Sequence, residues 1–147
     1  MFLLDTNHLV ILQARTRRDF ERLVARMSRY PASDFYVSIV SFHEQMLGWN
    51  AYISRARDTE GVVRGYRHLH DLIEYFRDAQ VLPFDDAAAE AFNALGTKRI
   101  RTGTMDLRIA AIALAHDMTV LTRNLQDFQR IPSLKVEDWT AIDQVEP

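Results

Sequence analysis

Acidic and amide residues follow short apolar runs of this 147-residue chain, or open a longer apolar segment. These positions are Asp5, Glu44, Asp106, Asn124 and Asp127. Crowded carboxylates repel each other, whereas a hard divalent cation such as Mg²⁺ or Mn²⁺ takes oxygen ligands and relieves that repulsion. The same cation can lower the pKa of a bound water and neutralise charge on a phosphodiester. Carboxylates without histidine or cysteine ligands therefore point to metal-dependent phosphoryl chemistry.

A purely structural interpretation of the same residues stays open, because each acid also stands where a helix is expected to begin. Ser41-x-x-Glu44 has the spacing of a capping box, and Asn124-x-x-Asp127 is similar to it. Asp5 could cap a helix by itself. Capping alone gives no reason for acids to follow several different strands, so spacing by itself supports the metal site and the caps about equally.

The elements that must position these residues alternate between strands and helices. Apolar runs predict strands, and stretches of helical spacing predict the helices between them: strands Phe2–Leu4, Phe35–Val40, Val81–Leu82, Val120–Leu121 and Leu134–Val136, and helices Arg17–Arg29, Phe42–Arg57, Gly61–Asp78, Asp86–Ile100 and Met105–His116. The last helix is apolar nearly all round and should be buried. This order predicts an α/β fold, a parallel sheet of about four to five strands with helices on both faces. Ligands bind such sheets beyond the carboxyl ends of the strands, where the acids stand.

Composition narrows the classes of protein that remain. With 18 basic and 20 acidic residues, the net charge of −2 excludes a generally basic nucleic-acid-binding surface. The absence of cysteine excludes disulfides, thiolate zinc sites and cysteine nucleophiles. No apolar run approaches the ~20 residues of a membrane span and no signal peptide opens the chain, so we expect a cytoplasmic protein. No linker or repeat interrupts residues 1–147, which we interpret as one domain.

Four segments, in order, resemble the PIN-domain ribonucleases and, more narrowly, the VapC-type toxins of prokaryotic toxin–antitoxin pairs. They are LLDTN, SFHEQMLG, MDLRIAAIALAHDMTVLTRNLQDF and LKVEDW. The resemblance covers essentially the whole chain and implies a three-layer PIN-like fold. It also implies a Mg²⁺-dependent endoribonuclease, with Mn²⁺ as a substitute, that hydrolyses RNA phosphodiester bonds with a metal-activated water. An RNA substrate, a cognate antitoxin and a homodimer are the partners it implies.

The resemblance assigns roles to individual residues. The acidic metal cluster of the family matches Asp5, Glu44 and Asp106. The hydroxyl residue that supports this cluster matches Thr122, and a polar residue beside the first aspartate matches Asn7. On this assignment the carboxylates would hold the metal, while the other side chains would orient the site.

This sequence departs from the family at the fourth acidic position. Family members often carry an acid in the place of Asn124, and others carry one a turn later, where Asp127 stands. An amide can ligate Mg²⁺ through its oxygen but adds no negative charge. The fourth ligand, and the choice between one metal and two, therefore stay open between these two residues.

Arginines offer candidate contacts to the RNA backbone. A basic stripe, Arg18, Arg22, Arg26 and Arg29, recurs at helical spacing, and the basic connection 98–104 leads directly to Asp106. A solvated helix face and a flexible connector are the structural alternatives. An alternative function is a catalytically weak PIN-fold module that binds RNA or protein, which the missing acid at position 124 supports. Three other residues, Trp49, Tyr52 and Ile53, are expected in the core or in a dimer interface.

Overall fold

Within residues 1–15 and 17–142, which the computed structural model describes, five parallel strands form one sheet. The strands are β1 (Phe2–Leu4), β2 (Phe35–Ser38), β3 (Val81–Leu82), β4 (Thr119–Leu121) and β5 (Lys135–Glu137). The helices are α1 (Thr6–Ala14), α2 (Arg17–Met27), α3 (Ile39–Arg55), α4 (Thr59–Asp78), α5 (Asp86–Gly96), α6 (Thr104–Ala115) and α7 (Leu125–Phe128), and a short 3₁₀ turn covers Ala32–Asp34.

Strand order creates a switch point in the middle of the sheet. Across the sheet the order is β3-β2-β1-β4-β5, so the chain moves outward from β1 to β3 and then returns to the other side of β1. The register pairs Leu4 of β1 with Leu121 of β4. Asp5 and Thr122, the next residues of the two strands, therefore leave the sheet side by side. Open α/β sheets bind ligands at such a point.

Helices cover both faces of the sheet, which confirms the predicted three-layer α/β architecture. Alternate residues of a strand face opposite sides. Leu3 of β1 packs in one core cluster with Leu95 of α5 and Ile109 of α6. Leu4 packs in a second cluster with α1, α2 and α4, for example with Leu72. Right-handed crossovers explain this division, because the chain reverses direction across the sheet between β3 and β4.

Helix α6 is the buried helix that its composition predicts. Its residues from Ile109 to Ala113 are all fully buried. The helix begins after Gly103 and carries Asp106 in its first turn. The core therefore holds the backbone of this acid rigidly at the edge of the sheet.

The boundary between β2 and α3 differs from the predicted one. The strand ends at Ser38, and Ile39 and Val40 already belong to α3. The Ser38 hydroxyl accepts a hydrogen bond from the backbone N–H of Ser41 at 3.1 Å and so caps the helix. The expected cap at Ser41 is wrong, and Glu44 lies in the second turn of α3.

Further differences concern helices, and the short helix α7 is one that the predicted elements lack. Helix α1 was not predicted, because its apolar residues do not recur at clear helical spacing: Leu9 and Ile11 are buried while Val10 between them is exposed. Helix α5 ends at Gly96, four residues before the predicted end at Ile100. The last residues of the predicted domain, 143–147, lie outside the described part of the chain.

None of the described helices is both long enough and apolar enough to span a membrane.

Candidate metal centre

Three carboxylates converge at the switch point of the sheet. Oxygen atoms of Asp5, Glu44 and Asp106 all lie within 4.8 Å of one another. Asp5 follows β1 and is only 4% exposed, whereas the other two are half-buried. The three acids line an open cleft of about 570 Å³. The structure thus brings together three of the five metal-ligand candidates that the sequence singled out.

Burial raises the pKa of all three carboxyl groups. The pKa of Asp106 is raised to about 6, and burial is the largest cause, followed by the charges of Asp5 and Asp127. Burial also raises the pKa of Asp5, against the hydrogen bond from Thr122, which lowers it. The pKa of Glu44 is raised by burial and by the charge of Asp106. Such a cluster lacks a positive charge, and a cation with oxygen ligands would supply it.

Asp5 is held by hydrogen bonds to both of its oxygens. Its Oδ2 accepts from the Thr122 hydroxyl at 2.7 Å, and its Oδ1 accepts from the backbone N–H of Thr6 at 2.7 Å. The second bond makes Asp5 the N-cap of α1. A carboxylate oxygen has two acceptor positions, so capping leaves room for a ligand. The capping interpretation and the metal-site interpretation of Asp5 are therefore compatible.

Thr6 orients Glu44 and is a site residue that sequence reasoning missed. Its hydroxyl donates to Glu44 Oε1 at 3.0 Å and lies 3.0 Å from Ser41 Oγ. These contacts join the first turn of α1 to the start of α3. The available signal was the hydroxyl directly after Asp5, but its direction depends on α1, which the sequence pattern did not reveal.

Asn7 and Thr122 form the floor of the site. The Asn7 amide nitrogen donates to Thr122 Oγ1 at 3.1 Å, and the backbone N–H of Asn124 donates to the same oxygen at 3.0 Å. The side-chain oxygen Oδ1 of Asn7 accepts from the backbone N–H of Arg123 at 3.1 Å. Thr122 is fully buried. Thr122 therefore contacts Asp5 directly and Asn7 contacts it through Thr122, and the supporting role of both residues stays a prediction.

Asn124 and Asp127, the two candidates for the fourth position, contact each other. The Asn124 amide nitrogen lies 3.0 Å from Asp127 Oδ2 and 3.4 Å from Asp106 Oδ2. Asp127 also pairs with Arg130 at 3.3 Å. Among the described residues, Asp127 is not part of the converging acidic group, although its charge contributes to the raised pKa of Asp106. In this arrangement Asn124 presents N–H groups to both acids, and a ligand role for either residue stays a prediction.

The basic stripe divides into different kinds of residue, and its last member, Arg29, is exposed and lies after α2, which ends at Met27 and not at the predicted Arg29. Arg22 donates to the backbone carbonyl of Thr140 at 3.2 Å, and Arg26 donates to that of Asp138 at 3.1 Å. Both are half-buried, whereas Arg18 is exposed. Two of the four predicted phosphate contacts thus bind the segment after β5, which is a structural role.

Other charged groups reach the cleft or its neighbourhood. Arg123 and Asp19 both line the cleft and form an ion pair at 3.2 Å, a feature that sequence reasoning missed. The basic connection is attached to α7 by Thr102, whose hydroxyl donates to the Asp127 carbonyl at 3.1 Å. Lys98, Arg99 and Arg101 of this connection are exposed. Exposed cations thus stand on the loop that leads to Asp106.

A second groove of about 580 Å³ lies between α1, α3 and α4, away from the acidic cluster. Trp49 lines it and stacks on His68 with ring centroids 4.0 Å apart. Ile53 packs against Gly65, where an added side-chain carbon would lie 2.3 Å from it, so this close helix crossing requires glycine. Trp49 and Ile53 thus serve the α3–α4 packing, and Tyr52 beside them is 38% exposed. Among the residues that the structure describes, those lining this groove include no comparable group of acids.

The PIN domain family model matches residues 2–134. The chain is 26% identical over 139 residues to the tRNA(fMet)-specific endonuclease VapC of Salmonella typhimurium, covering 94% of this chain and 97% of that protein. DNA-bound VapBC from Salmonella typhimurium has a TM-score of 0.70 at 25% identity, over 94% of this chain and 97% of that chain. FitAcB from Neisseria gonorrhoeae has a TM-score of 0.69 at 26% identity, over 97% and 100%.

Proposed function

Because this chain belongs to the PIN-domain family, we propose that it is a metal-dependent endoribonuclease, the toxin of a toxin–antitoxin pair. The observation that carries the proposal is the convergence of Asp5, Glu44 and Asp106 within 4.8 Å at the switch point of the sheet. The similar VapC of Salmonella typhimurium is a tRNA-specific endonuclease, which supports RNA as the class of substrate.

The three carboxylates would hold a divalent cation, and their chemistry fits one. All three donors are carboxylate oxygens, which suits Mg²⁺, with Mn²⁺ as a substitute. A cation bound there neutralises charge on a phosphodiester and lowers the pKa of a water molecule. Their raised pKa values mean that, without a cation, these carboxyl groups keep their protons to higher pH than free carboxyl groups do. Proton and metal are therefore competitors for the same oxygens.

The surrounding residues of the chain keep the carboxylates in place. Thr122 and the backbone of Thr6 hold Asp5 from two sides, so its direction is set before any ligand arrives. Asn124 donates toward Asp106, and Thr6 donates to Glu44. Preorganised ligands of this kind raise metal affinity, because binding then requires little rearrangement. In this proposal Asn124 and Thr122 orient the site, and Asp127 supports Asn124.

The RNA would approach the open side of the cleft. Arg123 lies at the cleft, and the exposed cations Lys98, Arg99 and Arg101 stand on the loop before Asp106. Phosphate contacts by such side chains give affinity that falls with rising salt. A net charge of −2 for the whole chain makes these local cations the main source of attraction for RNA.

The partner protein would be a cognate antitoxin. The similar structures from Salmonella typhimurium and Neisseria gonorrhoeae are two-component complexes, VapBC and FitAcB. An acidic cleft suits a basic side chain from such a partner, which would compete with the metal for the carboxylates. We further propose a single PIN domain over residues 1–147, a homodimer, and a cytoplasmic location.

A catalytically weak module that binds RNA or protein is the second candidate function. One observation favours it: Asn124 stands in the place of an acid and presents its amide nitrogen to Asp106. Its amide therefore adds a hydrogen-bond donor and no negative charge to the site. The two functions differ in whether RNA is cut, which the following experiment measures.

The test is incubation of the purified chain with total RNA in Mg²⁺, in Mn²⁺ and in EDTA, followed by mapping of the cut ends. We expect defined cuts with either metal and none in EDTA. Asp106→Asn is the matched control, since it removes one charge and keeps the shape of the side chain. Equal cutting by this variant, or cutting in EDTA, would contradict the proposal, and binding without cutting would favour the second function.

A further inference from the structure

A buried histidine lies directly behind the acidic cluster and has no part in the chemistry described so far. His8, in the first turn of α1, is fully buried. Its Nε2 lies 3.2 Å from the backbone nitrogen of Trp139, and its Nδ1 lies 3.0 Å from the Asn7 carbonyl oxygen Oδ1. The ring therefore stands between the segment after β5 and the floor of the site.

The contacts of the ring determine which nitrogen carries the proton. A backbone N–H can only donate, so Nε2 of His8 must accept from Trp139, and the proton must be on Nδ1. A proton on Nε2 would face Asp138 Oδ1 at 3.5 Å and leave the buried Trp139 N–H unpaired. Asp138 Oδ1 already accepts from the N–H and the hydroxyl of Thr140. Burial lowers the pKa of His8 to about 4, in agreement with a neutral ring.

The proton on Nδ1 in turn fixes the direction of each hydrogen bond between His8 and Asp5. Nδ1–H of His8 donates to Asn7 Oδ1, which also accepts from the Arg123 N–H, so the orientation of the Asn7 amide is determined twice. Its nitrogen then donates to Thr122 Oγ1 at 3.1 Å. Because Thr122 Oγ1 accepts this bond, its single proton is available to Asp5 Oδ2, 2.7 Å away.

We propose that His8 is a positioning residue that, through Asn7 and Thr122, holds Asp5 toward the other carboxylates and couples it to the segment 138–140. The inference rests on the proposed metal site. These hydrogen bonds form a relay that leads from the Trp139 N–H through His8, Asn7 and Thr122 to Asp5. Every bond of the relay runs in one direction, from a backbone donor to the carboxylate. Neutral donors in a buried chain polarise one another, which strengthens the final bond to an ionised acceptor.

The far end of the relay is firmly anchored. The Trp139 ring packs against Phe2 with centroids 4.7 Å apart and stacks on Tyr30 at 5.5 Å. Arg22 and Arg26 hold the carbonyls of the residues on either side of Trp139. A displacement of this segment would take the Trp139 donor away from His8 Nε2, so the tautomer that donates from Nδ1 to Asn7 would no longer be favoured. An amide side chain at position 8 carries N–H donors in any case and does not depend on Trp139 in this way.

Two substitutions of His8 separate the two ends of the relay. His8→Asn places an amide near the position of Nδ1 and can keep the bond to Asn7, but it cannot reach Trp139. His8→Gln places an amide oxygen near the position of Nε2 and can accept from Trp139, but it loses the donor to Asn7. The matched control is Leu9→Ala, the next residue of α1, which is also fully buried and packs in the core.

The measurement is the affinity of the full chain for Mn²⁺, with the melting temperature recorded for each variant. We expect all three variants to melt earlier, and only His8→Gln to lose about tenfold or more in Mn²⁺ affinity, as outer-shell partners of metal ligands do. Unchanged affinity in His8→Gln would overturn the inference. Equal losses in His8→Gln and His8→Asn would overturn the route through Nδ1 and Asn7.

A second measurement, on the parent chain alone, tests the relay without any variant. Long-range ¹H–¹⁵N correlation spectra of the His8 ring distinguish the two tautomers, and we expect the proton on Nδ1. A proton on Nε2 would overturn the inference. A parent chain that binds no Mn²⁺ would instead contradict the proposed metal site, and the tautomer would still decide the direction of the relay.

Discussion

The Thr122 hydroxyl donates to Asp5 Oδ2 at 2.7 Å and so joins two residues that are 117 positions apart in the chain. The bond exists because Leu4 and Leu121 are paired in adjacent parallel strands, and the next residue of each strand leaves the sheet at the same edge. This single pair anchors the most buried carboxylate of the site. It also makes the hydroxyl of Thr122 the acceptor for two further donors, from Asn7 and Asn124.

Replacing this hydroxyl gives the first prediction. In Thr122→Val the two donors lose their acceptor and Asp5 loses its donor, within a buried region. We expect the free energy of unfolding to fall by about 2–4 kcal/mol, since each unpaired buried group costs about 1–3 kcal/mol. The pKa of Asp5 should rise, because the bond from Thr122 lowers it. Denaturant titration measures the stability, and Thr122→Ser, which keeps the hydroxyl, should remain closer to the parent in stability and Mn²⁺ affinity.

Removal of one acidic charge should stabilise the metal-free chain. The folded-state pKa of Asp106 is raised to about 6, so ionisation of this group at neutral pH opposes folding. Asp106→Asn removes that opposition and should increase the free energy of unfolding in EDTA by about 1 kcal/mol, discounted for the partial exposure of the group. The same variant should cut RNA only at background level. Lower stability than the parent in EDTA would contradict the repulsion on which the metal site depends.

Metal affinity should depend on pH in a defined direction. An acid with a raised folded-state pKa binds its proton more tightly in the folded chain, so its contribution to stability is present at low pH and is lost as pH rises through about 6. Mn²⁺ must displace that proton. We expect Mn²⁺ affinity to fall about tenfold for each pH unit below the pKa of Asp106 and to level off above it. Calorimetric titration across this range would detect a flat profile, which would count against Asp106 as a ligand.

Asp127 offers a test of the fourth position. Its charge raises the pKa of Asp106, and it lies outside the converging acids. In Asp127→Asn we therefore expect Mn²⁺ binding to persist, with its pH midpoint moved to lower pH. A metal ligand would behave differently, because its removal would weaken Mn²⁺ binding at every pH. Comparison of the full pH profiles of this variant and of Asp106→Asn distinguishes the two roles.

The α2 arginines should separate into structural and RNA-binding groups. Arg22 donates to the Thr140 carbonyl and is half-buried, so Arg22→Ala should lower the free energy of unfolding by about 1 kcal/mol. Arg18 is exposed, so Arg18→Ala should leave stability unchanged. If Arg18 contacts phosphate, its loss should reduce the dependence of log affinity on log salt by about 1. Filter binding at several salt concentrations measures this slope. An unchanged slope would show that Arg18 makes no contact with RNA phosphate.

Local patterns predicted most of the architecture. Apolar runs located all five strands to within two residues, and the apolar composition of α6 predicted its burial. They failed where a side chain rather than a hydrophobic period sets a boundary, as at Ser38, which caps α3 three residues before the expected site. They also failed for α1, because it packs against β1, α2 and α3 and so has no single apolar face.

The sequence by itself determined which acids stand after predicted strands or at the start of predicted helices, namely Asp5, Glu44, Asp106 and Asp127. The tertiary structure decided that Asp5, Glu44 and Asp106 converge within 4.8 Å. Strand order and crossover direction bring the carboxyl end of β1 and the beginnings of α3 and α6 to one edge of the sheet. Only the folded chain could assign Thr6 to Glu44 or connect His8 to Asp5. These are contacts between side chains whose directions depend on elements distant in sequence, and no local spacing encodes them.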